Sequence, residues 1–301
     1  MTRTPKPGAI ARAFHDSCLA ELDALKPGNV HRFGNGHRMT VADFVASADA
    51  AAPFIGQRGL AVGPRIRLAV EATRHAAGQN TNLGIILLAA PLTGAALDKR
   101  SGDLQSRLAR VLQGLKLDDA RETYRAIREA APGGLGEAPQ HDVAAEPAVT
   151  LLEAMRAAET RDRIAWNYTH DFADIFDLGL KWLKGARERW NEPAWAVTRV
   201  YLGFLAHVPD TLIERKFGSG AASHVLEEAG PIEAGFAECE VPAAMTAPLM
   251  AFDRALKERG LNPGTSADLT VATLFAAALS ELQTPRSVSY THLTLPTILL
   301  V

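Results

Sequence analysis

The sequence is poor in the residues that stabilise small secreted domains and structural metal sites. Cys18 and Cys239 are the only cysteines among 301 residues, too few for a disulfide framework or a structural zinc site. Residues 1–8 are polar and proline-rich, and lack the apolar segment that opens a secretory signal. This pattern predicts a reducing, cytoplasmic setting.

Strong charge and long apolar runs are also missing. The formal net charge is −2, so no global basic field favours nucleic acid or an anionic membrane surface. Any phosphate site must therefore be a local cluster of cations. The longest apolar run, Leu83 to Leu97, is shorter than a bilayer span and contains Pro91. We expect no nucleic-acid partner and no membrane association.

Helical spacing of apolar residues dominates the chain, and no convincing alternating strand precedes residue 286. The first helix is typical, since its apolar residues recur every three or four positions, at Ile10, Phe14, Cys18, Leu22 and Leu25. The run from Leu83 to Leu97 is apolar all round, so other helices must surround it. The prediction is an all-α fold, a single large multi-helix bundle around a buried central helix, formed by residues 1–285.

A bend after the first helix carries the first candidate site. Helices tend to end before a proline, so Pro27 and Gly28 predict a turn at residues 26–32. Lys26, Asn29, His31 and Arg32 lie on this turn, and cations beside freed backbone amides suit an anionic ligand such as a phosphate. His37 follows in a glycine-rich loop. An ordinary interhelical turn with solvated charges is the alternative.

Two further helix starts carry polar residues at the edge of the predicted core. Asn80 or Asn82 would cap the central helix, and a helix N-terminus favours anions. Asp210 precedes a short helix that contains Arg215 and Lys216. Near the C-terminus, Thr265 or Ser266 would cap the last helix, with Asp268 in its first turn. Simple capping also accounts for most of these residues.

Two segments interrupt the helical pattern. Residues 133–147 are irregular and contain Glu137, His141 and Asp142, which is typical of either an active-site flap or a plain linker. Residues 286–301 are rich in threonine, leucine and β-branched residues and continue no helical stripe. They look like a translated adapter or vector-derived tail, and we exclude them from the fold prediction.

Five stretches in a fixed order connect the sequence to a known family: Lys26-Pro27-Gly28-x-Val30-x-Arg32, Gly36-His37, Asn80-Thr81-x-x-Gly84, Asp210-Thr211, and Asn262-Pro263-Gly264-x-Ser266-Ala267-Asp268-Leu269. With this order and spacing, the chain up to about residue 283 resembles the triphosphoribosyl-dephospho-CoA synthases. These enzymes make the prosthetic-group precursor of citrate lyase and malonate decarboxylase. At His31, Asn82-Leu83 and Val208-Pro209 the sequence differs from the residues that this family often has. With these differences it resembles the branch of the family found near tetrahydromethanopterin-linked one-carbon genes.

The resemblance implies a pentosyltransferase for which ATP is the ribosyl donor. The 2′-hydroxyl of 3′-dephospho-CoA, or of a related acceptor, would attack C1′ of the ATP ribose and adenine would leave. This chemistry calls for Mg²⁺, cations for the triphosphate, a base and stabilising carboxylates. The implied triphosphate contacts are Lys26, Arg32, Arg215 and Lys216. Asp210 and Asp268 would bind Mg²⁺ or stabilise the developing cation, and His31 would be the base. The other implied substrate contacts are Asn29, His37, Asn80, Asn82 and Ser266.

A non-catalytic helical protein that binds a nucleotide or another protein is the rival hypothesis. Trp166, Trp182, Trp190 and Trp195 are grouped in the second half of the chain, which suits a protein-binding groove or the packing of helix junctions. Convergence of the five stretches on one cleft would favour the enzyme. The sequence leaves the oligomeric state open.

Removing the residues after Thr284 should leave thermal stability unchanged. The tail shares no periodicity with the helices before it, so it has no apolar stripe to bury. Thermal unfolding of the full chain and of the shortened chain, followed by circular dichroism, measures the effect. A fall of several degrees in Tm would show that the tail packs on the domain.

Overall fold

The computed structural model describes residues 4–132 and 140–284, and every extended regular segment within these ranges is helical. The fourteen α-helices are α1 (Pro7–Asp23), α2 (Val41–Gly56), α3 (Val62–Ala77), α4 (Leu83–Leu97), α5 (Leu104–Gln113), α6 (Leu117–Ala130), α7 (Leu151–Ala158), α8 (Arg163–Thr169), α9 (Leu180–Arg189), α10 (Pro193–His207), α11 (Thr211–Phe217), α12 (Ser219–Glu238), α13 (Thr246–Glu258) and α14 (Gly264–Gln283). A π-helical segment, Asp174–Gly179, leads into α9, and a 3₁₀ turn, Pro242–Met245, leads into α13. The all-α prediction is confirmed. The predicted tail, 286–301, lies outside the described residues.

Helix α4 is the buried centre of the bundle. Thirteen of its fifteen residues are buried, and it packs against α3, α5 and α14, with further contacts to α2 and α8. The burial follows from its sequence, because a helix without a polar face is stable only when other helices cover every side. The predicted central helix is confirmed. Within the described ranges, no helix has the length and apolar character needed to cross a bilayer.

A proline inside α4 leaves one backbone carbonyl without its usual partner. Pro91 has no N–H, so the carbonyl of Leu87, four residues earlier, receives no helical hydrogen bond. The hydroxyl of Tyr168 donates to this oxygen at 2.7 Å. Tyr168 is itself buried, so the two groups satisfy each other within the core.

The end of α2 differs from the sequence prediction. A proline inside a helical pattern usually ends or kinks the helix, so the sequence predicts a break at Pro53. The helix instead continues to Gly56 with Pro53 inside it. The carbonyls freed at this end are taken by the buried guanidinium of Arg65, which donates to the oxygens of Phe54, Ile55, Gln57 and Leu60. Thr40 followed by Asp43 three residues later predicts a capping box at the start of α2, and this box is present.

Helix α14 is the second largely buried helix, and it contacts α1, α4 and α10. The sequence predicted Thr265 or Ser266 as its N-cap, and this prediction is wrong. The helix begins at Gly264, so both residues lie in its first turn. The hydroxyls of Thr270 and Thr273 donate to the carbonyls four residues earlier, at 2.7 and 2.8 Å. These local bonds allow hydroxyl groups to be buried among apolar side chains.

Gly63→Ala should destabilise the fold by about 1–3 kcal/mol through overpacking. A Cβ atom at Gly63 would lie 2.5 Å from the Cα of Asp119 on α6, and the amide of Gly63 donates to Asp119 Oδ1 at 2.8 Å. Helices α3 and α6 would therefore have to separate. Urea unfolding measures the loss.

Gly185→Ala is the matched control, because Gly185 lies inside α9 with nothing within 4 Å of its added Cβ. This variant should gain about 0.5–1 kcal/mol from the higher helix propensity of alanine. Equal effects of the two substitutions would contradict the packing explanation.

Candidate active site

A cavity of about 530 Å³ lies at the edge of the core, at the N-terminal end of α4. Helices α6, α7 and α8 form one side of it, and the loop after α1, helix α11 and the start of α14 form the other. Four of the five sequence stretches reach it, and they contribute Asn29, His37, Asn80, Thr81, Gly84, Asn262, Gly264, Thr265, Ala267 and Asp268. The fourth stretch, Asp210-Thr211, does not line the cavity, but the helix that follows it does, through Leu212, Arg215 and Lys216. The stretches therefore converge on one cleft, as the enzyme hypothesis requires.

The bend after α1 is held by buried polar contacts. Lys26 is fully buried, and its ammonium group donates to Glu21 and, at 3.0 Å, to Asn29 Oδ1. The amide of Asn29 donates in turn to Asn262 Oδ1 at 2.8 Å. Burial lowers the pKa of Lys26. Glu21 and Asn29 line the cavity, whereas Lys26 lies behind them.

His31 and Arg32 lie away from the cavity. His31 is fully buried, with Nε2 3.3 Å from Asp253 Oδ1, and Asp253 also accepts the amide of Gly28 at 2.9 Å. Lys257 completes the cluster with a 2.9 Å ion pair to Asp253. Burial lowers the pKa of His31. Arg32 is exposed and pairs with Asp23. The cluster thus locks the bend in place.

His37 lines the cavity in a left-handed conformation, with φ of 56°. Its Nε2 lies 2.8 Å from the carbonyl oxygen of Gly28, and a carbonyl can only accept, so Nε2 carries the proton. Burial lowers the pKa of this ring. The neutral ring therefore keeps a lone pair on Nδ1.

The N-terminal turn of α4 meets α14 at the cavity. Asn80 Oδ1 accepts the amide of Leu83 at 3.1 Å, which makes Asn80 the side-chain cap. Asn82 is buried outside the lining, and its Nδ2 has no hydrogen-bond partner among the described residues. A Cβ atom at Gly84 would lie 2.0 Å from Asp268 Oδ2. Only glycine leaves room for that carboxylate.

Asp268 is the cavity carboxylate that the protein leaves unpaired. It lines the cavity, and within residues 4–132 and 140–284 its side chain takes part in no hydrogen bond or ion pair. Burial raises the pKa of Asp268 well above its ordinary value, and the nearby carboxylates of Asp210 and Glu21 raise it further. Such a group is available to a cationic or proton-sharing ligand.

Asp210 and Ser266 form a clamp behind the cavity wall. Asp210 Oδ1 caps α11 by accepting the amides of Leu212 and Ile213, at 3.1 and 3.2 Å. Its Oδ2 accepts both the amide and the hydroxyl of Ser266, at 2.8 and 2.9 Å. Burial raises the pKa of Asp210, although these hydrogen bonds act to lower it. Both oxygens are occupied, and neither Asp210 nor Ser266 lines the cavity.

Several cations surround the cavity, and two of them were not identified from the sequence. Arg215 pairs with Asp162 at 2.7 Å, whereas the side chain of Lys216 forms no ion pair within residues 4–132 and 140–284. Arg74, at the end of α3, and Arg161, between α7 and α8, also line the cavity. Among the described residues, neither arginine side chain takes part in a hydrogen bond or ion pair. Both stand at helix ends that only the tertiary fold brings to the site.

Part of the irregular segment forms a wall of the cavity. His141, Asp142 and Val143 line it, and the hydroxyl of Tyr124 on α6 donates to the carbonyl of His141 at 2.7 Å. Glu137 lies outside the described residues. The second half of this segment therefore belongs to the site and not to an interdomain linker.

The tryptophans pack at helix junctions. Trp182 contacts Phe204 edge-on at 5.2 Å between ring centroids, and Trp190 contacts Phe236 at 5.1 Å. Trp195 approaches the same Phe236 ring at 6.1 Å. Trp166 stacks on His170 at 4.0 Å. These contacts favour internal packing over a protein-binding groove.

Asp268→Asn should raise thermal stability at neutral pH. In the unfolded chain Asp268 ionises near its ordinary value of 3.8, whereas in the fold its pKa lies well above this. The unpaired carboxylate thus costs stability as pH rises through this interval. At about pH 7.5 we expect the Tm of Asp268→Asn to exceed that of the wild type. The difference between the two Tm values should become smaller towards about pH 4.

Asp162→Asn is the comparison variant for this measurement. Asp162 caps α8 and pairs with Arg215, so its replacement should lower Tm at about pH 7.5. An Asp268→Asn gain that is the same at both pH values would contradict the assignment of a raised pKa.

Comparison with known proteins agrees with the resemblance. Residues 7–287 match the family of ATP:dephospho-CoA triphosphoribosyl transferases. A stretch of 99 residues is 36% identical to the probable 2-(5''-triphosphoribosyl)-3'-dephosphocoenzyme-A synthase of Albidiferax ferrireducens, and it spans 32% of each chain. The match thus covers about a third of the length of that curated relative.

The fold is shared with the crystal structure of a candidate triphosphoribosyl-dephospho-CoA synthase from Archaeoglobus fulgidus. The TM-score is 0.58 at 23% sequence identity, over 77% of this chain and 97% of the archaeal one. At this identity the similarity concerns the fold alone. Because the family match runs through nearly the whole sequence and ends beyond α14, this chain belongs to the ATP:dephospho-CoA triphosphoribosyl transferase family.

Proposed function

We propose that this protein transfers the triphosphoribosyl group of ATP to a hydroxyl of 3′-dephospho-CoA, or of a close relative, with release of adenine. The observation that supports the proposal best is the composition of one cavity. Three cations that form no ion pair with another described residue, Arg74, Arg161 and Lys216, line it. They stand together with Asp268, a carboxylate that accepts no hydrogen bond from the described residues. A polyanion next to a developing cation needs this combination.

The reaction replaces one bond at C1′ of the ATP ribose with another. The bond from C1′ to the adenine nitrogen breaks, and its electron pair stays on adenine. The acceptor oxygen forms the new bond to C1′ and loses its proton. The transition state of such a transfer resembles an oxocarbenium ion, with positive charge spread over the ribose ring.

The triphosphate would occupy the cationic part of the cavity. Arg74 and Arg161 offer planar forks that bind phosphate oxygens in pairs. Lys216 and Arg215 stand on α11 at the same lining. Lys26 is committed to Glu21 and Asn29, and Arg32 lies outside the lining, so neither is included among our proposed triphosphate contacts. Asn29, His37 and Asn80 remain candidates for contacts to ribose or phosphate.

Mg²⁺ fits this arrangement as an ion that is bound mainly by the triphosphate of the substrate. Within the described ranges, no group of three or more His, Cys, Asp or Glu side chains lies close enough to bind a metal. Mg²⁺ is usually held by substrate phosphates and only one or two carboxylates. Asp268 can provide such a ligand, whereas the oxygens of Asp210 are already engaged. When bound, the ion would neutralise negative charge on the triphosphate.

Asp268 is also the proposed partner of the ribose as it gains positive charge. Its carboxylate lies against Gly84 at the first turn of α4, so the group is held on a rigid helix end. Positive charge that develops at C1′ would favour the ionised form of this carboxylate despite its raised pKa. The ionised form stabilises an oxocarbenium ion more than it stabilises the neutral ribose. We further propose a cytoplasmic setting, where ATP and a CoA precursor are both present.

Cations that bind the triphosphate should act mainly on substrate binding. Lys216→Ala and Arg74→Ala are each expected to raise the KM for ATP by about 10- to 100-fold, with a smaller effect on kcat, since a hydrogen bond to a charged group contributes about 1.5–3 kcal/mol. Free adenine is measured with labelled ATP, Mg²⁺ and dephospho-CoA. Lys184→Ala is the control, because Lys184 is an exposed cation on α9 outside the cavity.

Asp268→Asn should instead lower kcat, by about 100-fold or more, with little change in KM. Partial recovery with excess Mg²⁺ would identify Asp268 as a metal ligand. Full turnover of this variant would reject its role. Formation of ADP or AMP without adenine in the wild-type reaction would reject the proposed function itself.

A further inference from the structure

A second carboxylate, Glu21, faces the same cavity from α1. Only 3% of Glu21 is exposed, and the residue belongs to the cavity lining. Lys26 donates to Oε1. Oε2 accepts no hydrogen bond from the described residues, and it is not among the side-chain oxygens sealed from solvent. The free oxygen of Glu21 is therefore reached from the cavity.

Lys26 favours the ionised form of the Glu21 carboxylate at this depth. A buried charge without a partner is costly, and the usual response is to lose the charge. Helix α1 ends at Asp23, and the chain turns so that the ammonium of Lys26 returns to Glu21 and reaches Asn29 Oδ1 at 3.0 Å. The pair thus holds one carboxylate oxygen and leaves the other for a ligand.

The two cavity carboxylates have opposite surroundings. Glu21 has a fully buried cation against it, whereas Asp268 has no hydrogen-bond donor and is repelled by Glu21. Burial raises the pKa of both, and Lys26 opposes this at Glu21. Two titratable groups whose surroundings push their pKa values apart are a common basis for acid and base roles.

The other candidates for a base are placed less well. His31 is bound to Asp253 outside the cavity. Asp210 has both oxygens engaged. His37 keeps a lone pair on Nδ1 and lines the cavity. Of these three residues, only His37 competes with Glu21 for the role of base.

We propose that Glu21 is the general base of the transfer and that Lys26 is its positioning residue. The inference rests on the proposed function. As the acceptor oxygen bonds to C1′, its proton passes to Oε2 of Glu21, and the electron pair of the broken bond leaves with adenine. Adenine takes up a proton from water or from Glu21, so no proton is gained or lost overall.

Glu21→Gln tests the base, because glutamine keeps the size of the side chain and can still accept a hydrogen bond from Lys26. We expect kcat to fall by about 100-fold or more, in the range typical of general base catalysis, and the KM for ATP to stay within about threefold. In Glu21→Ala, added formate should restore part of the lost turnover, because it can replace the missing carboxylate. A purely structural role would not respond to formate.

Lys26→Met tests the positioning residue. The charged or titratable groups near Glu21 are Lys26, Asp268, Cys18 and Tyr201. Without the ammonium group, Glu21 should hold its proton to a higher pH. The acid limb of the kcat profile should therefore move to higher pH. A fall in kcat with an unmoved limb would overturn the role of Lys26.

Glu233→Gln is the matched control. Glu233 is also a buried glutamate paired with a cation, 2.8 Å from Arg199, but it lies outside the cavity. Its replacement should lower Tm and leave kcat unchanged.

Three results would contradict the role proposed for Glu21. Wild-type turnover in Glu21→Gln would overturn it and leave the transferase function intact. A lower Tm in Glu21→Ala with no response to formate would reduce Glu21 to a structural role, and a loss confined to His37→Asn would assign the base to His37. A wild-type protein that binds ATP but releases no adenine would instead reject the proposed function.

Discussion

The requirement that α4 be covered on every side shapes the rest of the molecule. A helix with no polar face cannot lie at a surface, so α3, α5 and α14 enclose it and α2 and α8 complete the shell. The end of such a helix still presents backbone groups that apolar neighbours cannot satisfy. The cavity lies at this end of α4.

Around that opening, polar side chains that bond across sequence distance hold the parts together. Asp253 on α13 fixes the bend after α1 through Gly28 and His31. Asp210 joins α11 to α14 through Ser266. These groups contact no part of the cavity, yet they determine where Asn29, Lys216 and Asp268 stand. A rigid outer layer of this kind is what a site needs if its own charges are left unpaired.

The sequence predicted more of the fold than of the site. The helical spacing of apolar residues was enough to predict the all-α class, and the apolar run at residues 83–97 was enough to predict its central position. Both predictions succeed because the burial of an apolar face is a local property of the helix. Gly84 and Asp268 were found as members of sequence stretches, although their contact was not foreseen. Pro53 misled, because the turn of α2 that follows it is stabilised from outside the helix, by hydrogen bonds from Arg65 of α3 to the carbonyl oxygens of Phe54 and Ile55.

The roles of individual charges were beyond sequence reasoning. Lys26 was read as a ligand contact because nothing in the sequence shows that its ammonium turns back onto Glu21. Arg74 and Arg161 carry no motif and become visible only when α3, α7 and α8 meet at the cavity. Capping roles were predicted in part, since a cap depends on the residues next to it: Asp210 is the N-cap of α11, whereas Thr265 and Ser266 lie inside α14.

The anchorage of Arg65 limits how the chain between α2 and α3 can vary. That segment, residues 57–61, includes exposed positions at which insertions are ordinarily tolerated. Here a single guanidinium spans carbonyls on both sides of the connection, from Phe54 and Gln57 to Leu60. One added residue would move Leu60 out of its reach while leaving the α2 carbonyls in place. Homologous chains with this arginine should therefore keep the length of the connection constant even where its residues differ.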